Sequence, residues 1–263
     1  MVEAINGPEL AGHKAEVYAL PSAVEFHSLD LMRLASLFKG EFSLDWLIEL
    51  SGLKARHVLA ELKQGVKKGD LVESDLGLFR FIDDKRCQEL YESLPQETRD
   101  QLGERVVQII LGDDLDDRRK AQILSGQLLR KKNDLEGCRW LIKAGDSFVQ
   151  EANFQAAIDC YSRAIDDLRG IADRTVDPLF METVNKYVNI ISARHDSRWT
   201  VEILQDALAR ARTQGDRPSQ ARFNMHLAVS MWQRSRIRLS QQYYNRGTAL
   251  ARGLEDPKYL KPT

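Results

Sequence analysis

Between Leu141 and Ala164 the chain spaces its small residues in a way that few folds accommodate. Leu141 precedes Ala144-Gly145 and Phe148, and beyond the polar turn Gln150-Glu151-Ala152-Asn153-Phe154 come Ala157, Tyr161 and Ala164, again at helical intervals. Small residues on each of two neighbouring helices let antiparallel backbones cross closely, and an aromatic beside each small residue fills the space left over. A single hairpin of this kind can bury its apolar faces only against others like it. The spacing therefore predicts a stacked array of helical pairs.

Two weaker copies follow. In the second, Val188, Ile191-Ser192 and His195 take the first-helix places, with Leu204, Leu208 and Ala211 on the second helix. In the third, Leu227-Ala228 and Met231 are answered by Ser240, Tyr244 and Gly247. The anchors advance by 204 − 157 = 47 and 240 − 204 = 36 residues, against about 34 for the tetratricopeptide unit that the first copy resembles. The longer step predicts an insertion around Gly170–Pro178. The expected array spans 113–263 and opens with an amphipathic helix over Leu115–Lys132, whose basic end Arg130-Lys131-Lys132 suits the negative pole of a helix.

The N-terminal half reads differently. Residues 1–27 form a Gly- and Pro-containing arm with one short helix expected over Glu9–Leu20. The next segment, 28–112, predicts helices over Ser28–Phe38, over a stretch capped by Ser43 and closed by Ser51-Gly52, and over Lys54–Lys68. The alternating runs Leu71–Ser74 and Leu78–Ile82 flank Asp75-Leu76-Gly77 and predict a β-hairpin. Helices over Asp83–Leu94 and Gln96–Leu111 follow, divided by Pro95. Three helices and a β-hairpin give a winged-helix-like domain. The fold class expected is thus mainly α: a winged-helix-like domain with a small β-hairpin, then an antiparallel, tetratricopeptide-like helical solenoid.

Composition narrows the function. A net charge of −1 over 263 residues gives no general attraction to nucleic acid or anionic membrane. Cys87, Cys138 and Cys160 lack the paired spacing of a zinc site or disulfide framework, and read as reduced, buried thiols. No basic-then-apolar leader opens the chain, and no run approaches the roughly 18 apolar residues of a membrane helix, so a cytoplasmic setting is expected. The five histidines show no H-x3-H spacing, and Asp113-Asp114 with Asp116-Asp117 marks a helix start, where acids suit the helix dipole. Neither a Gly-x-Ser-x-Gly elbow nor a G-x-x-x-x-G-K-[ST] loop occurs. No catalytic residue, metal or cofactor is expected, and the chain reads as a non-enzyme.

The segments Phe42–Leu53, Phe79-Arg80-Phe81 and Glu89–Pro95 resemble the signal-transduction ATPases of the STAND class, in particular the maltose-regulator type. In that family a nucleotide-binding domain precedes a winged helix and a tetratricopeptide arm. The resemblance covers Leu29 to Leu254 and implies a signalling regulator. It departs where the family's phosphate loop is absent, and where Asp83 replaces the histidine that commonly follows the Phe-Arg-Phe-x strand; a carboxylate there would repel a diphosphate. The expectation is a fragment of a larger regulator, or a relative that kept only the interaction parts, with the ending Tyr259–Thr263 favouring the fragment.

A helical array implies a concave face built from first helices. By register it carries Arg139, Ile142, Lys143 and Asp146, then Lys186 and Asn189, then Arg222, Met225, His226 and Val229. Arg234, Arg236, Arg238 and Arg246 meet no acid between Gln233 and Ala251, which favours an acidic peptide as partner. The alternative is a DNA-binding transcriptional regulator reading DNA through Lys54, Arg56, Lys63 and Lys67, with the repeats for dimerisation or ligand sensing. Interleaved Glu61 and Asp70, and Glu73 and Asp75 on the wing, favour packing against a neighbouring domain instead.

Overall fold

A computed structural model of the chain describes residues 30–74, 77–191 and 198–252. The arm over 1–27, the hairpin tip at Asp75-Leu76, His195 and the final segment lie outside the described residues. The fold is mainly helical, with twelve α-helices among the described residues and one small antiparallel sheet.

Local signals set most of the N-terminal elements. Helix α1 (Leu31–Ala35) is shorter than expected and is capped by Asp30, whose carboxylate accepts from the Met32 amide. Strand β1 (Phe42–Ser43) runs straight into α2 (Leu44–Ser51), where the Ser43 hydroxyl accepts from the Trp46 amide and Gly52 closes the helix in a left-handed conformation. Helix α3 (Ala55–Lys68) buries Val58, Leu62 and Gly65. The predicted hairpin is present as β2 (Leu71–Glu73) and β3 (Leu78–Phe81), and β1 joins it to give the order β1-β3-β2 with Phe42 opposite Phe79. Sequence reading missed β1, because two residues carry no alternation and the strand exists only through a partner far along the chain.

Helix α4 (Asp84–Glu92) starts on an Asp83 cap, and α5 (Gln96–Gly112) follows with Pro95 at its N-cap, one place before the expected first-turn position. Helix α6 (Asp117–Leu128) is trimmed at both ends relative to expectation, so Arg130-Lys131-Lys132 falls beyond the helix rather than within its last turn. Arg130 instead lies over the Tyr91 ring, 3.8 Å from its centroid. The two halves share one apolar core. Their junction is also polar: the Trp46 indole donates to Asp113, and the Gln127 amide donates to the buried Leu37 carbonyl.

Three hairpins follow among the described residues. They pair α7 (Leu135–Gln150) with α8 (Phe154–Arg169), α9 (Asp177–Ile190) with α10 (Arg198–Thr213), and α11 (Arg217–Gln233) with α12 (Ile237–Arg252). From α6 to α12 each helix packs on the next. A Cβ added at Gly145 would come within 2.5 Å of the Tyr161 ring, so the glycine is what lets α7 and α8 nest. The first and third hairpins turn alike. The Asn153 amide bonds the Phe148 carbonyl at 2.8 Å and Ala152 has φ 57°; the Arg236 amide bonds the Met231 carbonyl at 2.8 Å and Ser235 has φ 57°. All three pairs are offset by the same interval, 236 − 153 = 231 − 148 = 235 − 152 = 83.

The register of the second copy is corrected. Helix α9 ends at Ile190, so Ile191 lies past it and Ser192 is outside the described residues. The buried stripe is Phe180, Thr183, Val184 and Tyr187. Thr183 occupies the crossing without being apolar, because its hydroxyl donates to the Leu179 carbonyl at 2.7 Å. Leu204, Leu208 and Ala211 are buried on α10 as their places require.

Candidate functional site

The polar strip that crosses the hairpins begins at Asp146 on α7. Its carboxylate accepts from the Tyr161 hydroxyl of α8 at 2.6 Å and from Lys186 Nζ of α9, also at 2.6 Å. Burial first, and then the Asp146 carboxylate, push the Tyr161 hydroxyl well above its ordinary range, so it stays a donor. Lys186 also reaches Glu182 at 3.3 Å; burial opposes its charge, but the two carboxylates outweigh that and raise its pKa. Three helices are thereby tied together by one carboxylate.

Beyond Lys186 the strip opens into a cleft of about 240 Å³ between α9 and α11, walled by Met181, Glu182, Asn185, Asp216, Arg222 and Phe223. The Asn185 carboxamide oxygen is buried there with no hydrogen-bond partner. An unmet acceptor of this kind costs about 1–3 kcal/mol. One turn past Arg222 stands His226. Burial, aided by the Arg222 charge, brings its pKa down to about 4, so the ring is neutral at physiological pH.

The residues expected on this face divide. Asp146 and Lys186 meet directly, whereas Arg222 lines the cleft with Glu182 and Asn185. Arg139 and Asn189 are exposed but enter neither the ion-paired cluster nor the cleft. Lys143 turns toward α6, where it pairs with Asp117 at 2.7 Å and lies over the Trp140 ring at 4.4 Å. Ile142 is buried and so gives no binding surface. Sequence reading missed Glu182 and Asn185, which follow from the corrected α9 register. The arginines taken to flavour the face sit elsewhere: Arg234 and Arg236 in the α11–α12 turn, Arg238 and Arg246 on α12, a second helix.

The basic residues of the alternative reading, Lys54, Arg56, Lys63 and Lys67, are all exposed; Lys54 is the N-cap of α3 and the other three lie along it. Asp83 turns its carboxylate to the Lys85 amide as a helix cap. A larger cleft, about 970 Å³, lies between α5, α6 and α7 and mixes Arg105, Lys131 and Lys132 with Glu104, Asp134 and Glu136 beside Trp140. The three thiols are free and buried, and burial first pushes those of Cys138 and Cys160 up to about 12. Among the described residues no group of three or more His, Cys, Asp or Glu side chains is placed to hold a metal, and no helix is long and apolar enough to cross a membrane. Comparison with protein-family models and with curated proteins finds no match for this chain.

Proposed function

We propose that this chain is a non-catalytic interaction module of a signalling regulator, in which a tetratricopeptide-like array holds a polypeptide segment across α7, α9 and α11. The observation that carries this reading is the cleft between α9 and α11, whose walls bring Glu182, Asn185 and Arg222 together. An extended peptide brings a donor and an acceptor at every residue, which is the complement such a strip needs. The α1-β1-α2-α3-β2-β3 order supports a winged-helix-like part over 28–112, with Trp46 and Gln127 at its junction with the array. Three buried free thiols are consistent with a reducing, cytoplasmic setting.

Peptides selected from a display library on the whole chain test the proposal. Their affinity, read by fluorescence anisotropy, is expected to fall roughly tenfold or more in Asn185→Ala and Lys186→Ala while thermal melting confirms folding, and to be unchanged when Lys54, Arg56, Lys63 and Lys67 are reversed to Glu. Selected peptides indifferent to both cleft variants would contradict it. The second reading, DNA binding through α3, is favoured by the exposure of those same four cations. It predicts sub-micromolar mobility shifts that weaken steeply with salt.

A further inference from the structure

The third hairpin repeats the first 83 residues later in its turn geometry, yet its chemistry is inverted. Adding 83 takes Asp146 to Val229, Glu151 to Arg234, Asp159 to Gln242, Asp166 to Ala249 and Asp167 to Leu250. Every one of these carboxylates is lost. The span 217–252 holds seven arginines and no acid in a chain whose net charge is −1.

Two of those positions, Asp146 and Asp166, face the next hairpin, whereas Glu151 pairs with Arg118 of α6, Asp159 accepts from Gln155 of its own helix, and Asp167 meets Arg163 and Asn133. Asp146, which also accepts from the Tyr161 hydroxyl, holds Lys186 of α9, the Asp166 carboxylate accepts from the Trp199 indole of α10, and Arg169 pairs with Asp206 of α10 at 2.7 Å. Their counterparts Val229, Tyr244, Ala249 and Arg252 meet no following helix among the described residues. Exposure records the difference: Tyr161 is 2% accessible, whereas Tyr244 is 47%, Val229 47% and Trp232, on the last turn of α11, 66%. Exposed aromatics of this size beside arginine are the composition of an interface centre rather than of a solvated face.

We infer that the outer face of the third hairpin is a docking surface for an acidic amphipathic α-helix of a protein partner, which takes the place that α9 takes against the first hairpin. The apolar stripe of that helix covers Val229, Trp232 and Tyr244. One of its carboxylates answers Arg252, the counterpart of Arg169, as Asp206 answers Arg169. This surface is separate from the α9–α11 cleft and does not depend on it.

The probe is a synthetic 20-residue peptide, about the length of a long globular helix, with Leu and Phe at i, i+3, i+4 and i+7 and Glu at the remaining positions. It is labelled with fluorescein and titrated into the whole chain at several salt concentrations. Micromolar binding that weakens with salt is expected. It should drop roughly tenfold or more in Trp232→Ala/Tyr244→Ala and measurably in Arg252→Glu, and stay unchanged in Lys186→Ala, so failure here is distinguishable from failure of the cleft. A scrambled peptide of equal charge should bind far less. Equal binding by the scrambled peptide, or binding indifferent both to Trp232→Ala/Tyr244→Ala and to Arg252→Glu, overturns the inference. So does a concentration-dependent dimer in sedimentation that Tyr244→Ala abolishes, because a second copy then covers the face. Binding seen only after residues 253–263 are removed also overturns it, because the chain then covers its own face.

Discussion

Gly145 and Tyr161 show how one side chain's absence positions another's hydroxyl. Because no Cβ stands at 145, the Tyr161 ring lies against the α7 backbone and its hydroxyl reaches Asp146, which in turn holds Lys186 of the next hairpin. Gly145→Ala adds helix propensity of about 1 kcal/mol but drives a methyl into the ring, at a cost of about 1–3 kcal/mol. A lower urea midpoint is expected, and Tyr161→Leu in the same background should restore part of it; a midpoint at or above that of the parent would refute close nesting. His226 gives a pH signature. Its folded pKa of about 4 lies below the ordinary 6.5, so the unfolded chain binds the proton more readily between those values. Its effect on stability is therefore flat above pH 6.5, and the loss grows as pH falls to about 4, reaching on the order of 1–3 kcal/mol. In His226→Gln that part of the acid sensitivity should disappear from urea midpoints measured across the same range.

At the scale of elements, the turns that close the first and third hairpins place Ala152 and Ser235 at φ 57°, a left-handed conformation better suited to glycine. Ala152→Gly and Ser235→Gly should each raise the melting temperature, by the equivalent of about 0.5–1 kcal/mol; calorimetry checks this, and a fall in either variant would mean that the turn differs. The legible elements were those specified by chemistry a few residues apart. The Ser43 cap, the Gly52 stop, the strands around Gly77 and the Ala144-Gly145 crossing all belong to this class. What escaped needs partners distant in sequence. Strand β1 is defined by β3, and α9 fills its crossing with Thr183 and Val184, so a search for small residues there slid along to Ile191-Ser192. That slip moved attention off Glu182 and Asn185 and left the cleft unseen. Lys143 escaped for the same reason, because its partner Asp117 sits on a helix outside the repeat.

For the whole molecule, a near-neutral total conceals a strong division of charge. The third hairpin holds arginine without acid, the first mixes both signs, and the inner strip is almost internally neutralised by Asp146, Lys186 and Glu182. The acidic partner and the peptide proposed above thus fall on different faces, although the sequence alone placed both on one groove. The account rests on stacked hairpins presenting α9 and α11 to a polypeptide. Amide hydrogen exchange of the whole chain, with and without a display-selected peptide, tests this most directly. Protection confined to 135–150, 177–190 and 217–233 is the result predicted, whereas protection centred on 55–68, or on none of these regions despite saturated binding, would contradict it.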